Sequence, residues 1–185
     1  MRKYLGVAVS TILSLSLSLS LLSGCEGTLP MPKPEPVKAD IMGSSHGAAD
    51  ALINAAADRL DLEKPVIAAS FVNIDDLDKS SSFGRIISRQ VGSRFTARGI
   101  KVIEMLLRHN VYIRQRGGEF LLSRELRNIS SEHDAQAVIV GTYAVGRHKV
   151  LITARLIRSS DSVILASHDY TLPLDPDVAY LLRGK

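Results

Sequence analysis

The chain has 185 residues, 45 % of them hydrophobic, with one cysteine, no tryptophan and a formal charge of +4. That suffices for one domain with its own core and argues against several. A lone cysteine leaves no intrachain disulfide, so stability must rest on packing.

Arg2 and Lys3 open the chain, and Leu5 to Leu22 follows without a charged residue. The run is diluted by Ser10, Thr11, Ser14, Ser16, Ser18 and Ser20 and ends in small residues. A positive start, an apolar middle and small residues at the cut form a secretory signal. Its Leu/Ser alternation imitates a strand but is excluded from the fold. Leu22, Ser23, Gly24 and Cys25 resemble the bacterial lipobox. That resemblance implies a diacylglycerol thioether on Cys25, cleavage before it and acylation of the new N-terminus. The alternative is a small buried structural cysteine, but its position directly after a signal sequence favours the anchor. Each buried CH₂ contributes about 0.8 kcal/mol and one acyl chain binds only marginally, so three chains together anchor stably without a transmembrane helix. Glu26 rather than Asp follows the cysteine. By similarity to lipoprotein sorting in enteric bacteria, this implies the outer membrane, with the domain facing the periplasm.

The chain is therefore expected to divide into a leader (1–24), a lipidated cysteine with a proline-rich tether (25–43) and a globular domain (44–185). Loss of the leader removes Arg2 and Lys3 and takes the formal charge from +4 to +2. Mild basicity outside the cytoplasm gives no reason to expect a nucleic-acid partner.

Pro30, Pro32, Pro34 and Pro36 make Glu26 to Asp40 an extended spacer, reaching about 45 Å at about 3.1 Å per residue. Leu52, Ile53, Ala56 and Leu60 predict a helix over 45–60, stopped by Pro65. Val66 to Val72 is a continuous apolar run and predicts a strand buried on both faces. Asn73 to Ser82 is a polar loop with Asp75, Asp76 and Asp78. It fails as an EF-hand, because a register from Asp76 puts Ser81 at the turn glycine and Ile87 at the bidentate Glu. Its serines are read as caps for the next helix. Phe83, Ile87, Val91 and Phe95 form the stripe of a helix over 83–98, closed by Gly99. Arg94 falls near that stripe, where it either snorkels or faces a partner.

Ile100 to Leu107 predicts a strand, making 66–107 a strand–helix–strand crossover between parallel strands. Residues 111–116 are ambiguous between a strand and an irregular arm, and Gly117-Gly118 marks a turn. Ser123 is an N-cap for a helix over 124–132. Strands over 137–144, 149–158 and 163–172, joined by short turns, predict an antiparallel meander. Asp175-Pro176 caps a final helix ending at Leu182. The expected class is α/β (α+β): one mixed sheet, a strand–helix–strand crossover, a C-terminal antiparallel meander and helices packed on the sheet.

No catalytic, cofactor or metal residue is assigned. His46, His109, His133, His148 and His168 lack metal-ligand spacing, and there is neither a nucleophile elbow nor a Walker loop. Arg108, Arg114, Arg116, Arg124 and Arg127 concentrate positive charge. They are either a solvated face or a docking surface for an acidic partner, lipid head groups or glycan.

Three segments carry a resemblance: Phe71-Val-Asn-Ile-Asp75 through Ser82-Phe-Gly-Arg85, Gly118-Glu-Phe-Leu-Leu-Ser-Arg-Glu125, and Gly141-Thr-Tyr143. Together they resemble the FlgO family of outer-membrane lipoproteins, over roughly residues 45–172. The resemblance implies a non-enzymatic part in flagellar motility near the outer-membrane end of the flagellum. Flagellar or envelope proteins would be the partners, with peptidoglycan a further candidate. The family domain is also distantly similar to CsgG-like and LpoB-like periplasmic domains. Those imply the rival reading, an envelope adaptor touching a secretion pore or a peptidoglycan synthase. A periplasmic enzyme or carbohydrate-binding protein is a third reading, and predicts a deep pocket with converging carboxylates or histidines.

Overall fold

The computed structural model describes residues 37–77, 80–105, 113–116, 119–122 and 124–183. The leader, Cys25, the lipobox and most of the tether lie outside them. The first described helix, α1, is Ile41–Ala56, followed by a 3₁₀ turn at Ala57–Arg59. It starts four residues before the expected Ser45, because Asp40 caps it by accepting the Gly43 N–H at 2.8 Å. Ile41, Met42 and Gly43 thus belong to helix rather than to the segment 25–43, and the compact unit runs from Pro36 to Lys185.

The expected strand 66–72 is two short strands, β1 (Val66–Ala68) and β2 (Val72–Asn73). Both pair parallel with a later strand, β6 (Ala137–Val145), β1 with residues 137–139 and β2 with 142–143. The break falls at Ser70–Phe71, where Phe71 turns away to bond the next helix. That helix, α2, is Ser82–Ala97. Ser81 caps it by accepting the Gly84 N–H, and Gly99 ends it at φ +82°. All four stripe residues, Phe83, Ile87, Val91 and Phe95, are fully buried. The next strand, β3, is Val102–Glu104 and pairs parallel with β1 as the outer strand; of the predicted 100–107, residues 106 and 107 lie outside the described residues.

Strands β4 (Ile113–Arg116) and β5 (Glu119–Leu122) form a separate antiparallel ribbon, and α3 follows at Arg124–Glu132. The meander is β6, β7 (Lys149–Arg158) and β8 (Ile164–Pro173), and α4 closes the chain at Pro176–Arg183. The sheet order is β3-β1-β6-β7-β8 with β2 beside β6. It is one mixed sheet with a parallel β1–α2–β3 unit and an antiparallel meander, as the sequence predicts.

Both faces bury apolar side chains. On one face Leu52 of α1, the α2 stripe and Val178 of α4 pack on Ile139, Val150, Ile152 and Leu156. On the other, Leu126 and Ile129 of α3 meet Ile67, Val138, Val140 and Ile157. Burying side chains of this size contributes about 1.5–3 kcal/mol each relative to exposure. That offsets the ordering entropy of a chain without disulfides.

Candidate functional site

The break between β1 and β2 organises the best-defined cluster in the molecule. The Phe71 N–H donates to the Gly84 carbonyl at 3.3 Å, and the Ser80 hydroxyl donates to the Phe71 carbonyl at 3.1 Å. The Phe71 ring lies across Gly141 of β6, where an added Cβ would stand 2.3 Å from the ring. At Gly84 a Cβ would stand 2.0 Å from the Phe71 carbonyl oxygen. Only glycine admits so close an approach at either point.

Tyr143 joins the cluster from β6. Its hydroxyl donates to the Ser81 Oγ at 2.8 Å, and its ring meets Phe83 edge-on at 5.4 Å and 82°. Buried tyrosine needs such a partner, and an edge-on aromatic pair is a favoured geometry. The Arg85 guanidinium then ties the loop down, through the Ser80 carbonyl at 3.1 Å and the Ser82 hydroxyl at 3.0 Å. The buried Ser88 hydroxyl donates to the Ala69 carbonyl at 2.8 Å. That satisfies a carbonyl at the strand break.

This knot positions the loop that begins at Ile74. The Ile74 N–H donates to the Tyr143 carbonyl, and the Asp75 N–H to the Asn73 Oδ1. Ile74 and Asp75 are exposed. Asp78 lies outside the described residues. Among the described residues no group of three His, Cys, Asp or Glu side chains could hold a metal ion.

A cavity of about 250 Å³ lies between α2 and β3, lined by Ser88, Arg89, Gly92, Thr96 and Glu104 among others. Several of its polar groups are engaged within the protein: Ser88 with the Ala69 carbonyl, Thr96 with the Gly92 carbonyl, and Arg89 with Glu104 at 2.7 Å. No pair of its groups is arranged as nucleophile and base.

Arg94 pairs within the domain: its Nε and Nη2 donate to Asp50 of α1 at 3.0 and 2.8 Å, and Arg98 adds a further bond at 2.9 Å. The Arg94 hydrogen bonds hold the Asp50 carboxyl below its ordinary pKa, with Arg98 adding to the effect. A second carboxylate, Asp175, accepts from Ala39 and Val178 at 2.8 Å each, clipping the entry of the domain to α4. Those backbone bonds lower its pKa as well. Burial pushes Tyr170 up to about 12.

Of the arginines singled out by sequence, Arg114 and Arg116 fall on β4, opposite Leu121 and Glu119 of β5. Arg124 opens α3, Arg127 is exposed one turn on, and Arg108 lies outside the described residues. Sequence reasoning missed the Asp50–Arg94–Arg98 cluster, the Asp175 clip and the Ser81–Tyr143 bond. Each joins positions distant in the chain, and no local pattern marks the pairing.

Two of the three resemblance segments therefore close on each other: 71–85 and 141–143 build the knot, while of the third, Glu119–Leu122 is β5 and Arg124 opens α3. A family model described as FlgO protein matches residues 46–177. No curated protein matches the chain. Among solved structures, the LpoB C-terminal domain from Salmonella enterica is similar at TM-score 0.50 and 10 % identity, covering 71 % of this chain and 97 % of that one. The LpoB C-terminal domain from Escherichia coli gives 0.49 and 9 %, covering 74 % and 98 %. A PelC dodecamer from Paraburkholderia phytofirmans gives 0.44 and 15 %, covering 67 % and 84 %. At such identities the Salmonella likeness bears on the fold alone. It agrees with one mixed sheet carrying helices. No helix among the described residues is long and apolar enough to cross a membrane.

Proposed function

The chain belongs to the FlgO family, and from that premise we propose that it is a non-enzymatic outer-membrane lipoprotein required for flagellar function. In this reading it acts as a structural or assembly component at the outer-membrane end of the flagellum. The family match over residues 46–177 carries the proposal. The convergence of Phe71, Gly84, Gly141 and Tyr143 on one knot supports it, because these residues carry the resemblance and they scaffold a loop rather than perform chemistry. Residues 1–24 are the leader, Cys25 bears the lipid, and the proline-rich tether carries the domain into the periplasm. The ribbon and the start of α3, with Arg114, Arg116, Arg124 and Arg127, form the docking face.

The alternative, an envelope adaptor that contacts a secretion pore or a peptidoglycan synthase, draws on the LpoB-like fold alone. Fold does not fix function.

Cys25→Ser tests the anchored reading, because a thioether needs sulfur. The variant is expected to stay uncleaved or to leave the outer-membrane fraction, and to fail to restore swimming to a deletion strain. Mature-sized variant protein sedimenting with outer membranes as before, with full swimming, would remove the lipid from the account.

A further inference from the structure

The chain enters α1 through Val37 to Asp40, and one residue of that entry is held. Val37, Lys38 and Asp40 are exposed, whereas Ala39 is half-buried and packs at the edge of the core, as do Ile41, Leu174 and Leu181. The Ala39 N–H donates to the Asp175 Oδ2 at 2.8 Å, and the Asp175 Oδ1 accepts from Val178, three residues on, also at 2.8 Å. One carboxylate therefore caps α4 and holds the entering chain. The Lys38 charge favours the ionised form that both bonds need. Asp40 then caps α1, so the chain is pinned again at the next residue. The amide that Asp175 holds is that of the Lys38–Ala39 peptide bond. Between Cys25 and α1 the basic residues are Lys33 and Lys38, and Lys33 precedes Pro34. Trypsin-like proteases cut after lysine or arginine but not before proline, which leaves Lys38–Ala39 as the bond in this stretch that they can cut.

We propose that Asp175 is a latch on a release site: it holds the Lys38–Ala39 bond closed to trypsin-like proteases, and opening the latch lets one cut free the domain from the tether. A protease binds its substrate as an extended segment, so it acts only after the chain has left its contacts in the fold. At this position the opening requires no element of the core to unfold. The Ala39 bond and the small Ala39 side-chain contact are given up, and the Asp40 cap with them when more chain is drawn out. Cleavage at such a site tracks the population of the open form, which a hydrogen bond to a charged acceptor keeps low. Detachment from a membrane rests on the Cys25 anchor of the proposed function; protection of the bond does not.

Trypsin digestion of the mature full-length chain in detergent, with the cut sites identified by mass, tests the latch. The informative variant is Asp175→Ser. Serine caps a helix about as well as aspartate, so α4 keeps its cap, but the single short hydroxyl leaves no acceptor for Ala39. Cutting after Lys38 is expected to become about tenfold faster or more, while cutting after Arg98, at the C-terminal end of α2, keeps the parent's rate. Amide exchange separates the two bonds: the Ala39 and Val178 amides are both protected in the parent, and in Asp175→Ser Ala39 alone loses protection. Adding Lys38→Gln to Asp175→Ser should abolish the new cut. Unchanged cutting after Lys38 in folded Asp175→Ser, or an unprotected Ala39 amide in the parent, would overturn the proposal. So would equal acceleration after Lys38 and Arg98, because the carboxylate would then act through the stability of the whole fold. The mass of the released N-terminal piece reports separately on the Cys25 lipid, so failure of the anchor leaves the test of the latch intact.

Discussion

Two glycines and one phenylalanine decide the geometry of the knot. Gly141 has no room for a Cβ beneath the Phe71 ring, so Gly141→Ala must displace that ring. Overpacking of this kind costs about 1–3 kcal/mol, read as a lower urea midpoint. In a Phe71→Ala background the same substitution should cost much less, because contacting residues are not additive. Equal costs in both backgrounds would mean that the ring does not lie on Gly141. A second residue-scale test is electrostatic. The Asp50 carboxyl is held below its ordinary pKa by Arg94 and Arg98. A depressed carboxylate contributes stability that is present above its unfolded pKa, about 3.9, and lost as pH falls through the folded value. Asp50→Asn should therefore have a lower thermal midpoint than the parent at pH 7, and the gap should close as pH drops below about 4. A gap independent of pH would mean that the pair is not ionic.

At the scale of elements, the proposed docking face rests on the ribbon and the start of α3. Reversing Arg114 and Arg116 to Glu sets like charges against an acidic partner, which costs several kcal/mol once desolvated. If the arm is solvated, such changes shift stability within about 0.5 kcal/mol, and the double variant is expected to fold, remain anchored and fail to restore swimming. Full swimming would remove the ribbon from consideration. The elements themselves are unevenly legible in the sequence. Helix α2 is readable because Phe83, Ile87, Val91 and Phe95 repeat at helical spacing between Ser81 and Gly99. The meander is readable because β7 alternates along most of its length and its turns are short. The break at Ser70–Phe71 is not, because Phe71 is as apolar in the knot as it would be in a buried strand. The early start of α1 is hidden because Asp40 sits against the proline-rich stretch and looks like its end. Strand β3 spans Val102–Glu104, with Lys101 and Met105 bonding β1 just beyond its ends, and an apolar run does not say where a strand stops. Arg94 stands out as misplaced, but its partner Asp50 lies 44 positions away.

At the scale of the molecule, no group of three His, Cys, Asp or Glu side chains among the described residues could hold a metal ion. Within the unit Pro36–Lys185, Asp175 clips Ala39 to the last helix. The central claim is that this family member serves the flagellum and not wall synthesis. A clean deletion, scored in parallel for swimming, flagellation and survival under β-lactam stress, tests it most directly. The account predicts reduced swimming with normal growth and normal β-lactam survival. A deletion strain that swims normally but lyses under β-lactam would contradict it, and would favour the synthase-adaptor reading.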